Sequence, residues 1–295
     1  MSENALWDVW YDRDPLKIPN TDLTLRGFSI AALRTNFYIK ELGVMLDGGL
    51  SSNFLPDHIF ITHTHTDHIA NLTFHLFDVK HNIGPENKVN IYVPQEMCSN
   101  IERMIQGVLQ VNSSKVVDSS KYCYKLHPVS PSTILELTIK NRKFKIEIIK
   151  CYHGIPCVGF GFIEIKSKLK EQYRILTSKE ISELKKQGIE ITEQVELPSL
   201  CFLGDTSKEI LNDKTIEKYK TIMIECTFIY DDHIDEADEK KHMHWSSLKP
   251  YVESHPNNTF ILYHFSRRYK KTDISTFFDK YMTENKVTNI IPWIN

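Results

Sequence analysis

A histidine-rich segment directly after an apolar run constrains this chain more than any other feature. The run Ile59–Thr62 predicts a buried β-strand, and three histidines and an aspartate follow it within six residues. Because side chains alternate along an extended backbone, such a loop can direct two ligands to one zinc ion and two to its neighbour. A histidine-rich surface loop is the alternative, but this spacing behind a buried strand seldom arises by chance. The predicted ligands are His63 and His65 for one ion and Asp67 and His68 for the other.

The spacing His-x-His-x-Asp-His resembles the first metal motif of the metallo-β-lactamase superfamily. The chain also contains, in order, the further ligands that this resemblance implies, each at the C-terminal end of a β-like run. A lone His or Asp at such a place is more often a hydrogen-bonded turn residue than a metal ligand. Three of them in the expected order favour metal binding. They are His153 after Phe144–Ile149, Asp205 after Leu200–Phe202, and His264 after Phe260–Tyr263.

Two further segments resemble ribonuclease Z, the endonuclease family that removes 3′ trailers from precursor tRNA. Glu225–Phe228 is similar to its Glu-small-Thr-Phe segment, and His264–Tyr269 is similar to its final His-Phe-Ser-x-Arg-Tyr block. The likeness extends from about Arg26 to about Tyr281 and is nearest to the short, plant-like form. It implies an αββα sandwich, in which two mixed β-sheets pack face to face with helices outside. It also implies a homodimer.

The same resemblance implies a role for each metal ligand. One ion would take His63, His65 and His153, the other would take Asp67, His68 and His264, and Asp205 would bridge the two. Two divalent cations held about 4 Å apart ionise a bridging water near neutral pH and draw in a phosphate oxygen. We expect two zinc ions, with manganese or another divalent metal as the alternative. Asp67 lies where it can accept the proton of the attacking water.

Departure of a ribose 3′ oxygen calls for a positioned acid, which is worth about 10²- to 10⁴-fold in rate. The candidates are His242 and His244, and the spacing to His264 matches the non-ligand histidine of ribonuclease Z better for His242. Glu225 would then hold that imidazole and keep it cationic. His244 would then lie next to the metal ligands without binding the metal itself. In the alternative interpretation, His242 only caps the helix that starts near Trp245.

Asp47 is a candidate for a supporting role behind the metal ligands. A carboxylate in this position commonly accepts the ring N–H of a metal-binding histidine. An ordinary Asp-Gly turn explains the same residues equally well. The segment reads Asp-Gly-Gly-Leu here, where ribonuclease Z usually has Asp-Cys-Gly-Glu.

Composition fits one globular domain over residues 1–295. These residues, 41% of them hydrophobic, can bury one large core or two related halves packed together. No apolar run is long enough to cross a bilayer, and the acidic start Met1–Asp14 is unlike a signal peptide. We therefore expect a cytoplasmic or nuclear protein that is not secreted. The six cysteines show no Cys-x-x-Cys pairing, so we expect reduced thiols.

A net charge of −2 gives no overall attraction to nucleic acid, so RNA contacts would depend on local basic clusters. One cluster falls in 166–194, which we interpret as a shortened form of the arm that grips tRNA in many relatives. A solvated helix face is the alternative. The other cluster follows His264 and would raise the local concentration of a polyanion. The RNA contacts predicted from it are Arg267, Arg268, Lys270 and Lys271.

The charge run Asp231–Lys241 is interpreted as a solvated loop. Elsewhere, β-like runs alternate with helical patterns, and the helical patterns include residues 68–79, 99–110, 178–187, 246–254 and 272–282. Two halves with their own strands and trailing helices suit the sandwich that the resemblance implies.

These features predict a zinc-dependent endoribonuclease that cuts precursor tRNA, or a broader set of RNAs, and leaves a 3′-hydroxyl. The alternative is a hydrolase of small molecules, such as a β-lactam hydrolase or a cyclic-nucleotide phosphodiesterase, because a metal-bridging hydroxide attacks either bond. A third possibility is a metal-bearing RNA-binding protein without activity, which the intact ligands disfavour. The pair Glu225 and His242 favours a substrate with a poorly departing oxygen, which a β-lactam lacks.

Overall fold

Apolar residues on facing strands build two β-sheets that pack face to face. The chain is represented by a computed structural model that describes residues 8–76, 88–114, 116 and 123–295. Within these residues, each sheet has seven strands. Their inner faces share one core cluster, in which Phe37 and Phe60 of one sheet meet Phe202 and Ile261 of the other.

The first sheet comes from the N-terminal part of the chain, and its strands lie side by side in chain order. They are β1 Leu16–Lys17, β2 Thr24–Ile30, β3 Arg34–Ile39, β4 Val44–Leu46, β5 His58–Phe60, β6 Val89–Pro94 and β7 Tyr124–Val129. Neighbours from β1 to β4 are antiparallel, and neighbours from β4 to β7 are parallel. The C-terminal ends of β4 and β5 therefore lie at the same edge of the sheet.

The second sheet repeats this plan. Its strands are β8 Ile134–Ile139, β9 Arg142–Cys151, β10 Cys157–Leu169, β11 Thr192–Phe202, β12 Thr221–Glu225, β13 Thr259–Tyr263 and β14 Ile290–Pro292. Neighbours from β8 to β11 are antiparallel, and neighbours from β11 to β14 are parallel. The C-terminal ends of β11, β12 and β13 thus form a second row.

Of the described helices, the three longest pack on the outer faces of the sheets. The described helices include α1 Thr66–Ile69, α2 Cys98–Ser113, α3 Ser178–Lys186, α4 Ile234–Lys240, α5 Trp245–Ser254 and α6 Lys271–Asn285. Ile101 and Ile105 of α2 pack on the first sheet, and Leu248 of α5 and Phe278 of α6 pack on the second. The αββα sandwich expected from the sequence is confirmed. None of the described helices combines the length and apolarity that a membrane crossing requires.

The helix expected over 68–79 is divided in the structure. After α1, residues 72–76 are again helical, and residues 77–79 lie outside the described part of the chain. The short α1 begins at Thr66, so Asp67 and His68 are in its first turn. This early helical turn, rather than an extended loop, sets the direction of the last two residues of the histidine-rich segment.

The prediction that Asp231–Lys241 is a loop is wrong. The segment forms a short 3-10 helix, Asp231–His233, followed by α4. Ala237 is buried, and Glu236 pairs with Lys240 one turn later at 2.7 Å. The charged residues therefore lie on the outside of an amphipathic helix with one small apolar contact to the domain, which the charge density alone conceals.

Residues 166–194 extend the second sheet. β10 and β11 remain paired as far as Leu169 opposite Thr192, and α3 lies beyond the end of this hairpin. Thr177 and Glu180 form a capping box at the start of α3, and no residue of α3 is buried. The predicted arm is thus a two-stranded ribbon with an exposed helix at its tip.

Candidate metal centre

Strand ends from both sheets bring the predicted ligands together. His63, His65, Asp67 and His68 follow β5, whereas Asp205 follows β11 and His264 follows β13. His153 lies in the turn between β9 and β10. The C-terminal edges of the two sheets therefore face each other across a cluster of five imidazoles and two carboxylates.

One group of ligand atoms comes from His63, His65 and His153. One ring nitrogen from each residue lies within 4.8 Å of the corresponding nitrogens of the other two. His65 Nδ1 is 3.1 Å from His153 Nε2, a distance at which both nitrogens can ligate one cation. This is the set that the sequence resemblance assigned to the first ion.

The second group comes from Asp67, His68 and His264. Asp67 Oδ2 is 3.3 Å from His264 Nε2 and 3.6 Å from His68 Nε2. Asp205 lies between the two groups: its Oδ2 is 3.7 Å from His63 Nε2 and 3.4 Å from His264 Nε2. Its Oδ1 is 3.5 Å from His68 Nε2. A single carboxylate thus faces both sets of imidazoles.

The residues fit bound metal ions. Among the described residues, His63 Nε2 and Asp205 Oδ1 are buried without a hydrogen-bond partner. Buried polar atoms are rarely left unpaired, because each one costs about 1–3 kcal/mol. A cation between the two groups would pair both atoms, and imidazole with carboxylate is a ligand set that zinc prefers.

Burial and mutual charge shift the protonation of these groups in opposite directions. Burial, together with the neighbouring His68, lowers the pKa of His63 well below its usual value. Burial also disfavours charge on His68, but the carboxylates of Asp205 and Asp47 outweigh it and raise that pKa well above normal. Burial opposes ionisation of Asp67 as well, yet the hydrogen bond with His264 and the charge on His68 lower its pKa to about 2. The centre therefore offers ionised carboxylates to a cation.

Asp47 supports the metal loop from behind. Its Oδ2 is 2.8 Å from His68 Nδ1, and its Oδ1 accepts the backbone N–H of Thr62 at 2.8 Å. The Asp-Gly-Gly sequence matters here too: Gly48 N–H donates to His68 O, and a Cβ on Gly49 would lie 1.8 Å from Asp67 O. Asp47 thus occupies the position proposed for it, and two glycines allow the loops to meet.

Two of the strand-end residues have left-handed backbones. His264 has φ 63° and Asp47 has φ 61°. For a histidine this conformation costs of the order of 1–3 kcal/mol and persists only where the surroundings enforce it. In this protein it turns the His264 side chain from the end of β13 toward Asp67 and Asp205.

A backbone contact at Ala32 also orients the centre. Ala32 has φ 55° in the turn between β2 and β3, and its N–H donates to Asp67 Oδ2 at 2.9 Å. The sequence carries no sign of this contact, because a main-chain donor leaves no residue-type signal.

The proposed acid pair is formed beside the ligands. His242 Nδ1 is 2.8 Å from Glu225 Oε1, which also accepts the backbone N–H of Thr206 at 2.8 Å. Burial alone would lower the pKa of His242, but Glu225 raises it to about 9. His242 is therefore a cation at neutral pH, and its Nε2 is the ring nitrogen left for a substrate.

His244, by contrast, lies away from the ligands. Its Nδ1 accepts the backbone N–H of Ser246 at 3.0 Å, and its Nε2 is 2.9 Å from Tyr230 O. It caps the first turn of α5, so the structure corrects its expected place next to the ligands. The capping role considered for His242 belongs to His244 instead.

The four cations after His264 differ in their surroundings. Arg268 makes a bidentate ion pair with Glu236, at 2.8 and 2.9 Å, and its guanidinium lies over the Phe228 ring. Lys270 is the N-cap of α6, and Lys271 is its first residue. Arg267 is exposed, and within the described residues it has no ion-pair partner. Because Arg267 also lines a cleft beside His242, it is the cation of this group best placed to contact a ligand.

Three clefts adjoin the centre. The one above the ligands has a volume of about 360 Å³ and is lined by Leu33, Asp67 and His264. A second, of about 510 Å³, shares His242 with it and reaches Arg267. A third, of about 730 Å³, is lined by His153 and Lys241. Each of the three clefts is thus lined by a residue of the metal centre or of the acid pair.

Solved structures identify the architecture. Human tRNase Z, short form (ELAC1), is 18% identical and has a TM-score of 0.56 over 91% of this chain and 95% of that chain. The metallo-β-lactamase fold protein YhfI from Bacillus subtilis is 12% identical, with a TM-score of 0.58 over 95% of this chain and 96% of that chain. This chain has the metallo-β-lactamase fold. At such identities the likeness establishes the fold alone.

Curated relatives that cover most of this metallo-β-lactamase fold are named tRNase Z or ribonuclease Z. The tRNase Z TRZ1 of Arabidopsis thaliana is 28% identical over 256 residues, which cover 85% of this chain and 88% of that protein. The nuclear ribonuclease Z of Triticum aestivum is 29% identical over 173 residues, or 58% of this chain and 92% of that protein. The resemblance to ribonuclease Z inferred from the motifs is confirmed.

A family model described as anti-Pycsar protein Apyc1 matches residues 44–170. The matched part of the metallo-β-lactamase fold includes the loop after β5 and His153. It ends before Asp205, Glu225 and His264, so it does not include the acid pair.

Proposed function

We propose that this chain is a metal-dependent endoribonuclease of the ribonuclease Z type, which hydrolyses a phosphodiester at the 3′ end of precursor tRNA. The observation that carries the proposal is the position of His242, which is 2.8 Å from Glu225 and beside the metal ligands. A cationic acid at this place serves a substrate whose leaving oxygen is strongly basic, as a ribose 3′ oxygen is. The names of the curated relatives support the same activity.

The ligand set supports two divalent cations, and we propose zinc. When bound, they would supply positive charge against the phosphate and ionise a water at neutral pH. The residues proposed to hold them are His63, His65 and His153 for one, Asp67, His68 and His264 for the other, and Asp205 between them.

The protein's own groups act on either side of the bond that breaks. Because His242 Nδ1 is held by Glu225, its Nε2 can donate a proton to the leaving 3′ oxygen. Asp67, held by the N–H of Ala32, would accept the proton that the attacking water loses. The bond between phosphorus and the 3′ oxygen breaks, so the tRNA keeps a 3′-hydroxyl and the trailer keeps the phosphate.

The surroundings favour a polynucleotide over a small molecule. His242 and His153 line separate clefts beside the centre, and we propose that successive nucleotides of one strand occupy them. We propose that Arg267 contacts a phosphate on the His242 side. The ribbon and helix of 166–194 carry seven Lys and Arg residues. They would contact the RNA at a site away from the bond that is cleaved. A precursor tRNA has a 3′ end that can enter the centre and a folded body, away from that end, that the ribbon can contact.

Cleavage of a tRNA transcript that carries a 3′ trailer tests this function. We expect a single cut at the 3′ end, abolished by a chelator and by His65→Ala. His242→Gln should slow the cut by about 10²- to 10⁴-fold. His255→Gln, a change away from the centre, should leave the rate unaltered. Turnover of nitrocefin or a cyclic nucleotide without any cleavage of tRNA would overturn the proposal.

The resemblance to ribonuclease Z also leads us to propose a homodimer in the cytoplasm or nucleus. Light scattering of the purified protein measures the first point, with twice the mass of one chain as the expected value. A monomer that cleaves tRNA at full rate would remove the dimer from the proposal and leave the activity in place.

A further inference from the structure

Thr227 occupies the space between the metal ligands and the acid pair. It lies two residues after Glu225, just beyond β12, and its side chain is buried. Its hydroxyl oxygen is 3.1 Å from His264 Nδ1 and lies in direct hydrogen-bond contact with Glu225 Oε2. The same oxygen is 3.4 Å from His242 Nδ1. One hydroxyl group therefore touches both parts of the site.

The direction of these hydrogen bonds follows from the donors available. His264 Nε2 faces Asp67 and Asp205, so a bound cation requires that nitrogen to be unprotonated. The ring proton of neutral His264 must then be on Nδ1, where Thr227 Oγ1 is an acceptor. The threonine hydrogen is free to bond to the carboxylate of Glu225. Thr227 thus accepts from one residue and donates to the other.

The two carboxylate oxygens of Glu225 contact different groups. Oε2 faces Thr227, while Oε1 faces His242 Nδ1 and the backbone N–H of Thr206. The path from ligand to acid therefore runs from the His264 ring through the threonine hydroxyl and the carboxylate to the His242 ring. A second acceptor within reach of the Thr227 hydroxyl is the backbone carbonyl of His264, at 3.1 Å.

We propose that Thr227 is a positioning residue that fixes the ring of His264 for metal binding and, through Glu225, fixes the ring of His242. The part of the proposal that concerns His264 involves only metal binding. The part that concerns His242 rests on the proposed function. Groups that orient a metal-binding histidine commonly change metal affinity 10- to 100-fold when they are removed.

A pair of substitutions separates the hydroxyl from the space it fills. Thr227→Val keeps the shape and removes the hydroxyl, whereas Thr227→Ser keeps the hydroxyl and removes a methyl group. We expect Thr227→Val to weaken the binding of one zinc equivalent by about 10- to 100-fold in competition with a chromogenic chelator. Thr227→Ser should retain wild-type affinity. Equal affinity in the valine variant, or equal loss in both variants, would overturn the proposal.

Two substrates then test the link to His242. Bis(p-nitrophenyl) phosphate has a leaving group that needs no acid, whereas a precursor tRNA does need one. At saturating zinc, Thr227→Val should lose more activity toward tRNA than toward the small diester, and His242→Gln should show the same difference. If wild type cleaves neither substrate, the proposed function fails, while the zinc measurements still decide the metal half.

A spectroscopic measurement covers the case in which the valine variant does not fold. In wild-type protein loaded with zinc, ¹⁵N-labelled histidines report which ring nitrogen carries the proton. We expect a protonated Nδ1 on His264 with slow solvent exchange, assigned by its loss in His264→Ala. A His264 ring protonated on Nε2, or an Nδ1 proton that exchanges at the rate of an exposed imidazole, contradicts the role given to Thr227.

Discussion

Asp47 Oδ2 lies 2.8 Å from His68 Nδ1, and both side chains are fully buried. Asp47→Asn keeps the size of the side chain but removes the charge that orients the ring. We expect metal affinity to fall by about 10- to 100-fold, as measured by chelator competition. Asp57→Asn, an exposed aspartate that pairs with Lys140, is the matched control and should bind metal normally. Unchanged affinity in Asp47→Asn would show that the contact does not assist binding.

Stability should depend on pH through His75. Burial lowers its pKa to about 4 in the folded protein, against about 6.5 when unfolded. Above pH 6.5 neither state binds the proton, so the full stability is present. As pH falls from 6.5 to 4, the unfolded state gains the proton first, and the free energy of unfolding should drop by about 3 kcal/mol.

Urea unfolding of metal-free protein at pH 7 and pH 4.5 measures this effect. His75→Gln removes the titrating group, and the other site histidines are common to both proteins. The loss of unfolding free energy between the two pH values should therefore be smaller in the variant. The same loss in both proteins would mean that His75 is not responsible.

Arg267 should affect RNA binding more than the chemical step. Arg267→Ala removes an exposed charge beside the cleft that contains His242. Binding to tRNA should weaken, and the slope of log affinity against log salt should decrease by about 1. Hydrolysis of bis(p-nitrophenyl) phosphate should not change. Lys280→Ala, on the outer helix α6, is the control, and an equal salt slope for all three proteins would count against the contact.

The tip of the ribbon can be removed without breaking the sheet. Because Leu169 pairs with Thr192, an Asn-Gly turn in place of residues 170–191 closes a two-residue hairpin. We expect normal metal content and normal hydrolysis of the small diester, with at least tenfold weaker binding of precursor tRNA. A gel-shift titration measures the binding. Wild-type affinity for tRNA in the shortened protein would exclude the arm as an RNA contact.

The sequence was sufficient to predict which side chains gather at the candidate metal centre, because their signal is local. His63, His65, Asp67 and His68 are adjacent in the chain, and His264 comes directly after an apolar strand. The fold followed from a resemblance covering most of the chain, supported by the alternation of strands and helices. Each of these signals depends on residue type and spacing, which the sequence displays directly.

Contacts set by tertiary geometry could not be predicted in this way. The N–H of Ala32 reaches Asp67 only because two turns meet, and main-chain donors are the same in every residue type. In the sequence, Thr227 is only one position of the Glu-small-Thr-Phe segment. In the structure, its hydroxyl contacts both Glu225 and His264. The sequence did not indicate helix α4, because its run of charges is typical of a solvated loop. Its one buried residue, Ala237, is evident only in the structure.

Each sheet supplies part of the metal centre, and the chain passes between the sheets through residues 130–133 alone. Bound cations would therefore link the two halves of the chain, each of which contains one sheet. If the polypeptide were cut within that connection, the two fragments would stay associated while loaded with metal. Stripping the ions would leave the apolar core and the direct polar contacts between the halves, such as the ion pair of Asp57 with Lys140, so the fragments should associate more weakly without metal.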